Sequence, residues 1–178
     1  MIRFGQSSRQ AEFESAILPH LDAAFSLARF LLRNDHDAED VVQDASLRAF
    51  RFFDSFRGQN SRAWFLRIVR NTAFTALKRT HGHEGEVAFD EELHSPESPE
   101  PSVARRLDQA HDRETVRAAI EQLAPEFREA ITLRELEDCS YKEIADIAGV
   151  PVGTVMSRLA RARAQLAQIL SETYVNEK

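Results

Sequence analysis

Residues 140–163, SYKEIADIAGVPVGTVMSRLARAR, predict two helices joined by a tight turn. Ser140 and Glu143 have the Ser-x-x-Glu spacing of a capping box, which indicates that a helix begins there. Gly149 suits the left-handed residue that ends this helix, and Pro151 suits the first turn of the next one. This arrangement is typical of a helix-turn-helix.

The second of these helices has two chemically different faces. One stripe is apolar: Val155, Leu159, Ala162 and Leu166. The opposite stripe is polar and basic: Thr154, Ser157, Arg158, Arg161 and Gln165. A helix in a major groove needs such a face, because Arg pairs with guanine edges and Ser or Thr make small adaptable contacts. An ordinary solvated face is the alternative, but no acid lies between Asp146 and Glu172, which favours DNA contact.

Length and composition indicate a globular protein. The 178 residues suffice for one or two small domains, and the hydrophobic content is 43%. No apolar run approaches the ~20 residues of a membrane span, and the first residues, MIRFGQSSRQ, lack a secretory signal pattern. The single cysteine, Cys139, cannot form an internal disulfide. We therefore expect a cytoplasmic protein with no membrane insertion.

The net charge of −6 conceals a segregation of charge along the chain. Residues 48–79 hold eight Lys or Arg and one acid, Asp54, whereas residues 81–101 hold seven acids and no Lys or Arg. The local field, rather than the total charge, sets where a polyanion docks. The basic segment is therefore a candidate nucleic-acid surface.

The pattern predicts an all-α chain of two helical domains joined by a flexible acidic linker. The expected boundaries are residues 1–80, 81–107 and 108–178. The linker is proline-bearing and has little helical periodicity, with Pro96, Pro99 and Pro101.

Within the first domain the sequence predicts three helices. The first covers residues 13–32, with a stripe of Leu21, Ala24, Phe25, Ala28, Leu31 and Leu32. Residues 34–37 break it and cap a second helix, whose inward side chains are Ala38, Val41, Val42, Ala45, Ala49 and Phe52. Residues 53–60 form a loop, and Ser61 caps a third helix that ends near Arg79. In the second domain, one helix ends before Pro125 and another precedes the helix-turn-helix.

The loop and third helix carry groups that suit single-stranded nucleic acid. The loop mixes an aromatic ring, amides and cations: Phe56, Arg57, Gln59, Asn60, Ser61 and Arg62. The helix adds Arg67, Arg70, Asn71, Phe74 and Lys78 on overlapping exposed faces. Aromatic rings stack on unpaired bases for about 1–3 kcal/mol each, and amides read base edges. The alternative, that the rings are core, holds for Phe65 and is equally balanced for Trp64.

The start of the second helix is acidic, and its stripe Asp40, Gln43, Asp44 and Leu47 could dock a protein. The residues alone favour a simpler explanation, since acids at a helix N-terminus are stabilised by the helix dipole. His81, His83 and His94 do not complete a metal site. No phosphate-binding loop, nucleophile elbow or cysteine pair occurs, so neither an enzyme nor a cofactor is expected.

Three segments resemble the extracytoplasmic-function sigma factors of bacterial RNA polymerase. DAEDVVQDASLRAF is similar to their second-region helix, and FRGQNSRAWFLRIVRNTAFTALKR to the part that reads the −10 element. LAPEFREAITLRELEDCSYKEIADIAGVPVGTVMSRLARARAQL is similar to their domain that reads the −35 element. A stand-alone helix-turn-helix regulator, which would need only the last segment, is the main alternative.

The resemblance implies a role for each surface. Asp40, Gln43, Asp44 and Leu47 would dock on the clamp of the polymerase β′ subunit, and the surface near Phe127 and Leu136 on the β flap. The loop would hold a base flipped out of the −10 strand, with strand or phosphate contacts from Trp64, Arg67, Asn71 and Lys78. Contacts to −35 DNA would come from Thr154, Ser157, Arg158 and Arg161. The linker would run toward the RNA-exit channel, and an anti-sigma factor would be a further partner. Met156 departs from the family, which often has a cation near that position.

Overall fold

A computed structural model describes residues 4–58, 60–80 and 110–176. Its α-helices, in chain order, are α1 (Phe4–Ile17), α2 (Leu21–Leu32), α3 (Asp35–Phe52), α4 (Ser61–Thr80), α5 (Ala110–Gln122), α6 (Pro125–Ile131), α7 (Tyr141–Ala148) and α8 (Val152–Asn176). Short 3-10 turns cover Leu18–His20 and Phe53–Ser55, and a π-helical turn, Thr132–Leu136, continues α6. The described ranges contain no strand, so the all-α prediction is confirmed.

Helices α1 to α4 form an N-terminal block, in which α2, α3 and α4 pack against one another. Small side chains from α2 and α3 let the helices approach closely: Ala24, Ala28, Ala38, Ala45 and Ala49 are fully buried. Larger side chains fill the remaining space, namely Leu27, Leu31, Phe65, Leu66 and Val69. This confirms that Phe65 belongs to the core, and it leaves one face of α3 and one of α4 open to solvent.

Two details of this block differ from the sequence prediction, and a third agrees with it. The helix expected over residues 13–32 is two helices, because Pro19 lies in the turn Leu18–His20 and has no N–H to donate to a helix. Phe52, expected to point inward, is 56% exposed, since α3 ends there. Asn34 caps α3 as predicted, accepting from the N–H of Asp37 at 3.0 Å.

By length and composition, Ser8–Leu32 is apolar enough to cross a membrane, a stretch that sequence analysis did not expect. The 3-10 turn at Leu18–His20 interrupts it. Leu27 and Leu31 of its second half are fully buried among the packed helices. The apolar character of this stretch is therefore explained by the core of the N-terminal block.

Helices α5 to α8 form a C-terminal block that contains the predicted helix-turn-helix in α7 and α8. Both bonds of the capping box between Ser140 and Glu143 are present, and Gly149 has the left-handed φ of 70°. Pro151 stands immediately before α8, and its carbonyl accepts from the N–H of Thr154 at 3.0 Å. The predicted apolar stripe of α8 is confirmed, since Val155, Leu159 and Ala162 are buried and Leu166 is half-buried.

The two blocks lie against each other, with α4 packed on α7 and α2 packed on α6. We call this the closed arrangement. The expectation that Phe127 and Leu136 share an outer surface is wrong for Phe127, which is only 4% exposed in this arrangement. Leu136 is 47% exposed. The linker of residues 81–107 and the histidines in it lie outside the described residues, so the domain boundaries remain a prediction.

Candidate nucleic-acid interface

The loop between α3 and α4 holds Phe56 and Trp64 in one aromatic cluster. Their ring centroids are 5.0 Å apart, and Phe53 stacks on Phe56 at 6.0 Å. Phe56 and Trp64 are both half-buried, so each combines a packing role with an accessible part. The loop turns at Gly58, whose φ of 76° suits glycine. Trp64 therefore packs in this cluster and also presents part of its ring to solvent, and its contact with nucleic acid stays a prediction.

Asn60, predicted to read bases, is also the N-cap of α4. Its Oδ1 accepts from the N–H of Ala63 at 2.9 Å, and its Nδ2 donates to Glu143 Oε1 at 2.9 Å. The prediction that Ser61 is the cap is therefore wrong: an Asn side chain caps equally well, and it stands one residue earlier. Ser61 is the first helical residue, and its Oγ lies 3.1 Å from His20 Nε2. Burial, and then the charge of Arg62, lower the pKa of His20.

The predicted strand-binding residues Arg67, Asn71 and Lys78 are exposed along α4, and Arg57 is exposed in the loop. Gln59 lies outside the described residues. Arg70 was expected on an exposed face, but its side chain is only 21% exposed. Its side chain points toward the C-terminal block, because a buried carboxylate there accepts a hydrogen bond from the guanidinium.

The predicted −35 face lies along the first turns of α8. Ser157 and Arg161 are exposed and Thr154 is half-buried. Ser157 Oγ donates to the carbonyl of Thr154 at 2.9 Å, a local bond that DNA can replace. Arg158 has a side chain only 22% exposed, with Nη1 3.9 Å from Glu129 Oε2. The face is present as predicted, but Arg158 is turned partly inward.

Glu129 of α6 is the carboxylate that draws in both arginines. It is 1% exposed, and Arg70 Nε of the other block donates to its Oε1 at 2.7 Å. Burial raises the pKa of Glu129 above its ordinary value, and the positive charges of Arg70 and Arg158 offset only part of this rise. The carboxyl group faces α4 on one side and α8 on the other. The predicted −10 helix and the predicted −35 helix therefore each place one arginine beside Glu129.

Further polar contacts join the blocks. Arg62 Nη2 donates to the carbonyl of Glu137 at 2.6 Å, and Arg128 Nη2 donates to the carbonyl of Leu31 at 3.1 Å. Burial lowers the pKa of Arg128 to about 10, which leaves it charged at neutral pH. Arg128 and Glu129 were not predicted from the sequence, because charged residues on a short helix usually face solvent.

The predicted docking stripe on α3 is fully accessible. Asp40, Gln43, Asp44 and Leu47 are all exposed, Leu47 by 65%. Among the described residues, the ion pair of Asp44 lies within its own helix, to Arg48 at 2.9 Å. A cleft of about 190 Å³ between α3 and α4 borders Asp40 and Asp44. A large partner could therefore reach this stripe while the blocks are closed.

Two family models match the chain: sigma-70 region 2 over residues 16–82 and sigma-70 region 4 over residues 113–166. The RNA polymerase sigma-H factor of Pseudomonas aeruginosa is 34% identical over 176 residues, which cover 93% of this chain and 89% of that protein. The ECF RNA polymerase sigma factor SigE of Mycolicibacterium smegmatis is 31% identical over 168 residues. That match covers 94% of this chain and 65% of the relative's length.

A solved structure has a similar arrangement of helices. It is the sigma factor RpoE of Bartonella quintana, co-crystallised with the anti-sigma factor NepR. The match has a TM-score of 0.68 and 32% sequence identity, and it covers 90% of this chain and 97% of that one. The likeness therefore extends over both blocks and is not confined to the helix-turn-helix.

Proposed function

We propose that this chain, which belongs to the extracytoplasmic-function (ECF) sigma factors of the sigma-70 family, directs a bacterial RNA polymerase core to promoters and helps to melt the −10 element. One observation supports this function: the chain has two polar surfaces of different chemistry. The aromatic and amide loop at Phe56 and Asn60 suits unpaired bases, whereas the α8 face suits a duplex groove. A non-catalytic, cytoplasmic initiation subunit needs both.

At the −35 element, α8 lies in the major groove. Arg158 and Arg161 contact guanine edges or phosphates, and Thr154 and Ser157 make short contacts nearby. Each base pair read in this way contributes about 1–3 kcal/mol of discrimination. Arg158 must first leave Glu129, because its side chain is 22% exposed in the closed arrangement.

At the −10 element, the loop captures unpaired bases. Phe56 and Trp64 stack on them, while Asn60, Ser61 and Gln59 read exposed edges. Arg57, Arg67, Asn71 and Lys78 hold the strand by its phosphates or support strand separation. Unstacking a base costs a few kcal/mol, so capture of the extruded base is what favours the melted state.

The acidic stripe of Asp40, Gln43, Asp44 and Leu47 docks on the β′ clamp. Its support is that the four side chains are exposed beside a cleft, with an apolar side chain, Leu47, next to the carboxylates. The exposed Leu136 is left as the contact for the β flap. The acidic linker connects the two blocks across the polymerase.

An anti-sigma factor holds this chain inactive by stabilising the closed arrangement. In that arrangement Asn60 is bonded to Glu143, and Arg158 faces Glu129, so neither is free for DNA. The two promoter elements lie on separated stretches of duplex, and blocks in contact cannot reach both. Binding to core polymerase separates the blocks and exposes both faces.

Transcription in vitro with purified bacterial core polymerase and a promoter library tests this function. We expect initiation from a discrete set of templates that share a −35 and a −10 motif, and weak binding of the free chain to the same duplexes. Strong duplex binding without core, together with no initiation, would identify a stand-alone helix-turn-helix regulator instead. Failure to bind core would refute the sigma function outright.

A further inference from the structure

Helix α1 reaches the −10 loop through an unusually constrained arginine. Arg9 Nε donates to Asp54 Oδ1 at 2.9 Å, and its Nη2 donates to the carbonyl of Phe50 at 2.8 Å. Its guanidinium also lies 4.6 Å from the centroid of the Phe50 ring. A surface arginine in a single ion pair adds little to stability, but these three contacts fix one side chain against the end of α3 and the turn after it.

A row of aromatic rings continues from α1 toward the loop. Phe13 meets Phe50 and Phe53 edge-on, at centroid distances of 5.1 and 5.4 Å. Phe53 stacks on Phe56 at 6.0 Å, and Phe56 lies 5.0 Å from Trp64. We call these five residues the aromatic row. Through it, α1 contacts the rings proposed to stack on unpaired bases.

We propose that Arg9 and Phe13 are positioning residues for capture of the −10 strand: they hold Phe56 and Trp64 in the orientation that receives unpaired bases. The proposal rests on the sigma function given above. Part of the free energy of stacking is lost when the ring must be immobilised as the base binds. A ring that is already held in place therefore binds the base more tightly. The turn itself has few bonds of its own, such as the N–H of Phe56 to the carbonyl of Phe53 at 2.9 Å.

The test uses holoenzyme assembled from core polymerase and the full chain. The probe is a single-stranded −10 oligonucleotide, intact or with one abasic site at each position in turn. We expect Arg9→Ala to weaken binding of the intact strand by roughly three- to tenfold, the size of one or two ring contacts. The abasic site at the stacked position should then cost the variant less than it costs the wild type, because both changes remove the same interaction.

This non-additivity separates positioning from general destabilisation. Core affinity and binding of −35 duplex by the holoenzyme should match the wild type. Gln10→Ala is the matched control, since Gln10 is on the same helix and donates along it to Glu14 at 2.8 Å. If Arg9→Ala does not fold, Asp54→Asn removes the other half of the ion pair, whose side chain is 77% exposed.

Two results would overturn the proposal. One is additive loss, in which every abasic site costs variant and wild type equally. The other is an Arg9→Ala holoenzyme that binds the −10 strand as tightly as the wild type does. A wild-type chain that never binds core or starts transcription would be a different failure, that of the sigma function itself.

Discussion

Asp44 tests the docking stripe at the scale of one residue. It is half exposed and pairs with Arg48, and such i,i+4 pairs contribute about 0.3–0.5 kcal/mol. Asp44→Arg should therefore leave the fold intact. It should weaken binding to core polymerase by about tenfold or more. The reason is that the variant places a positive charge against a basic partner surface that is expected to meet the carboxylate of Asp44. Fluorescence anisotropy of labelled chain against core measures this directly.

Glu39→Arg is the matched control for Asp44→Arg. Glu39 is exposed on the same helix but lies off the stripe, and the change of charge is identical. Its affinity for core should stay at the wild-type value. Equal weakening by both variants would show that total charge, and not this stripe, governs the association.

Arg158 is the residue whose role at the −35 element is most specific. In holoenzyme, Arg158→Ala should cost about 1–3 kcal/mol on promoters with the preferred base at one position and little on promoters without it. Binding measured across a −35 library would show this as a flattened preference. A uniform loss on every sequence would reassign Arg158 to phosphate contact. Arg163→Ala is the control on the same helix, because Arg163 Nη2 donates to Glu135 at 2.8 Å away from the predicted face.

At the scale of the element, local chemistry decided which parts of the fold could be predicted. The capping box and Gly149 set both ends of α7 through bonds within the motif, so sequence alone placed that helix. The turn at Pro19 was missed because the apolar pattern runs unbroken across it. The α4 cap was displaced from Ser61 to Asn60, since two adjacent residues could each supply the oxygen.

The cap of α7 predicts a pH dependence. Bonds from the N–H of Ser140, then from Asn60, and the hydroxyl of Ser140 lower the pKa of Glu143 below its ordinary value of 4.5. A carboxyl group whose pKa is lowered by folding stabilises the protein above that value, and the stabilisation is lost as the pH falls through the folded pKa. Glu143→Gln should therefore have a lower free energy of unfolding than the wild type at pH 7, by about 0.3–1 kcal/mol, because Gln still fits the capping box but lacks the charge.

The difference between Glu143→Gln and the wild type, measured by thermal unfolding, should shrink as the pH falls below 4.5, and it should vanish below the folded pKa of Glu143, where both side chains are neutral. Ser140→Ala gives a reference for loss of the cap without loss of the titrating group. A difference that stays constant across this pH range would show that the charge of Glu143 does not contribute to the cap.

At the scale of the whole molecule, the closed arrangement could not be predicted from the sequence. Periodicity identified the faces of α4 and α8, but each partner across the blocks is a long-range contact that no local pattern encodes. Arg62 and Glu137, or Arg29 and Glu121, are separated by the whole linker and still form ion pairs of 3.2 and 2.9 Å. Periodicity could therefore indicate which side chains lie on the candidate DNA faces. It could not indicate that Arg70 and Arg158 of those faces both contact Glu129.

Arg70 is the group through which the N-terminal block holds Glu129, so its removal should open the molecule. Breaking a buried pair costs up to about 3–5 kcal/mol, less here because Arg158 still lies 3.9 Å from the carboxylate. Small-angle scattering of free Arg70→Ala should show a larger radius of gyration, while circular dichroism shows unchanged helix content, because the pair joins blocks and not turns of one helix. Lys78→Ala removes the same charge from an exposed site on α4 and should remain compact. An Arg70→Ala chain as compact as this control would mean that the contacts at Arg62, Arg29 and Arg128 hold the blocks together without it.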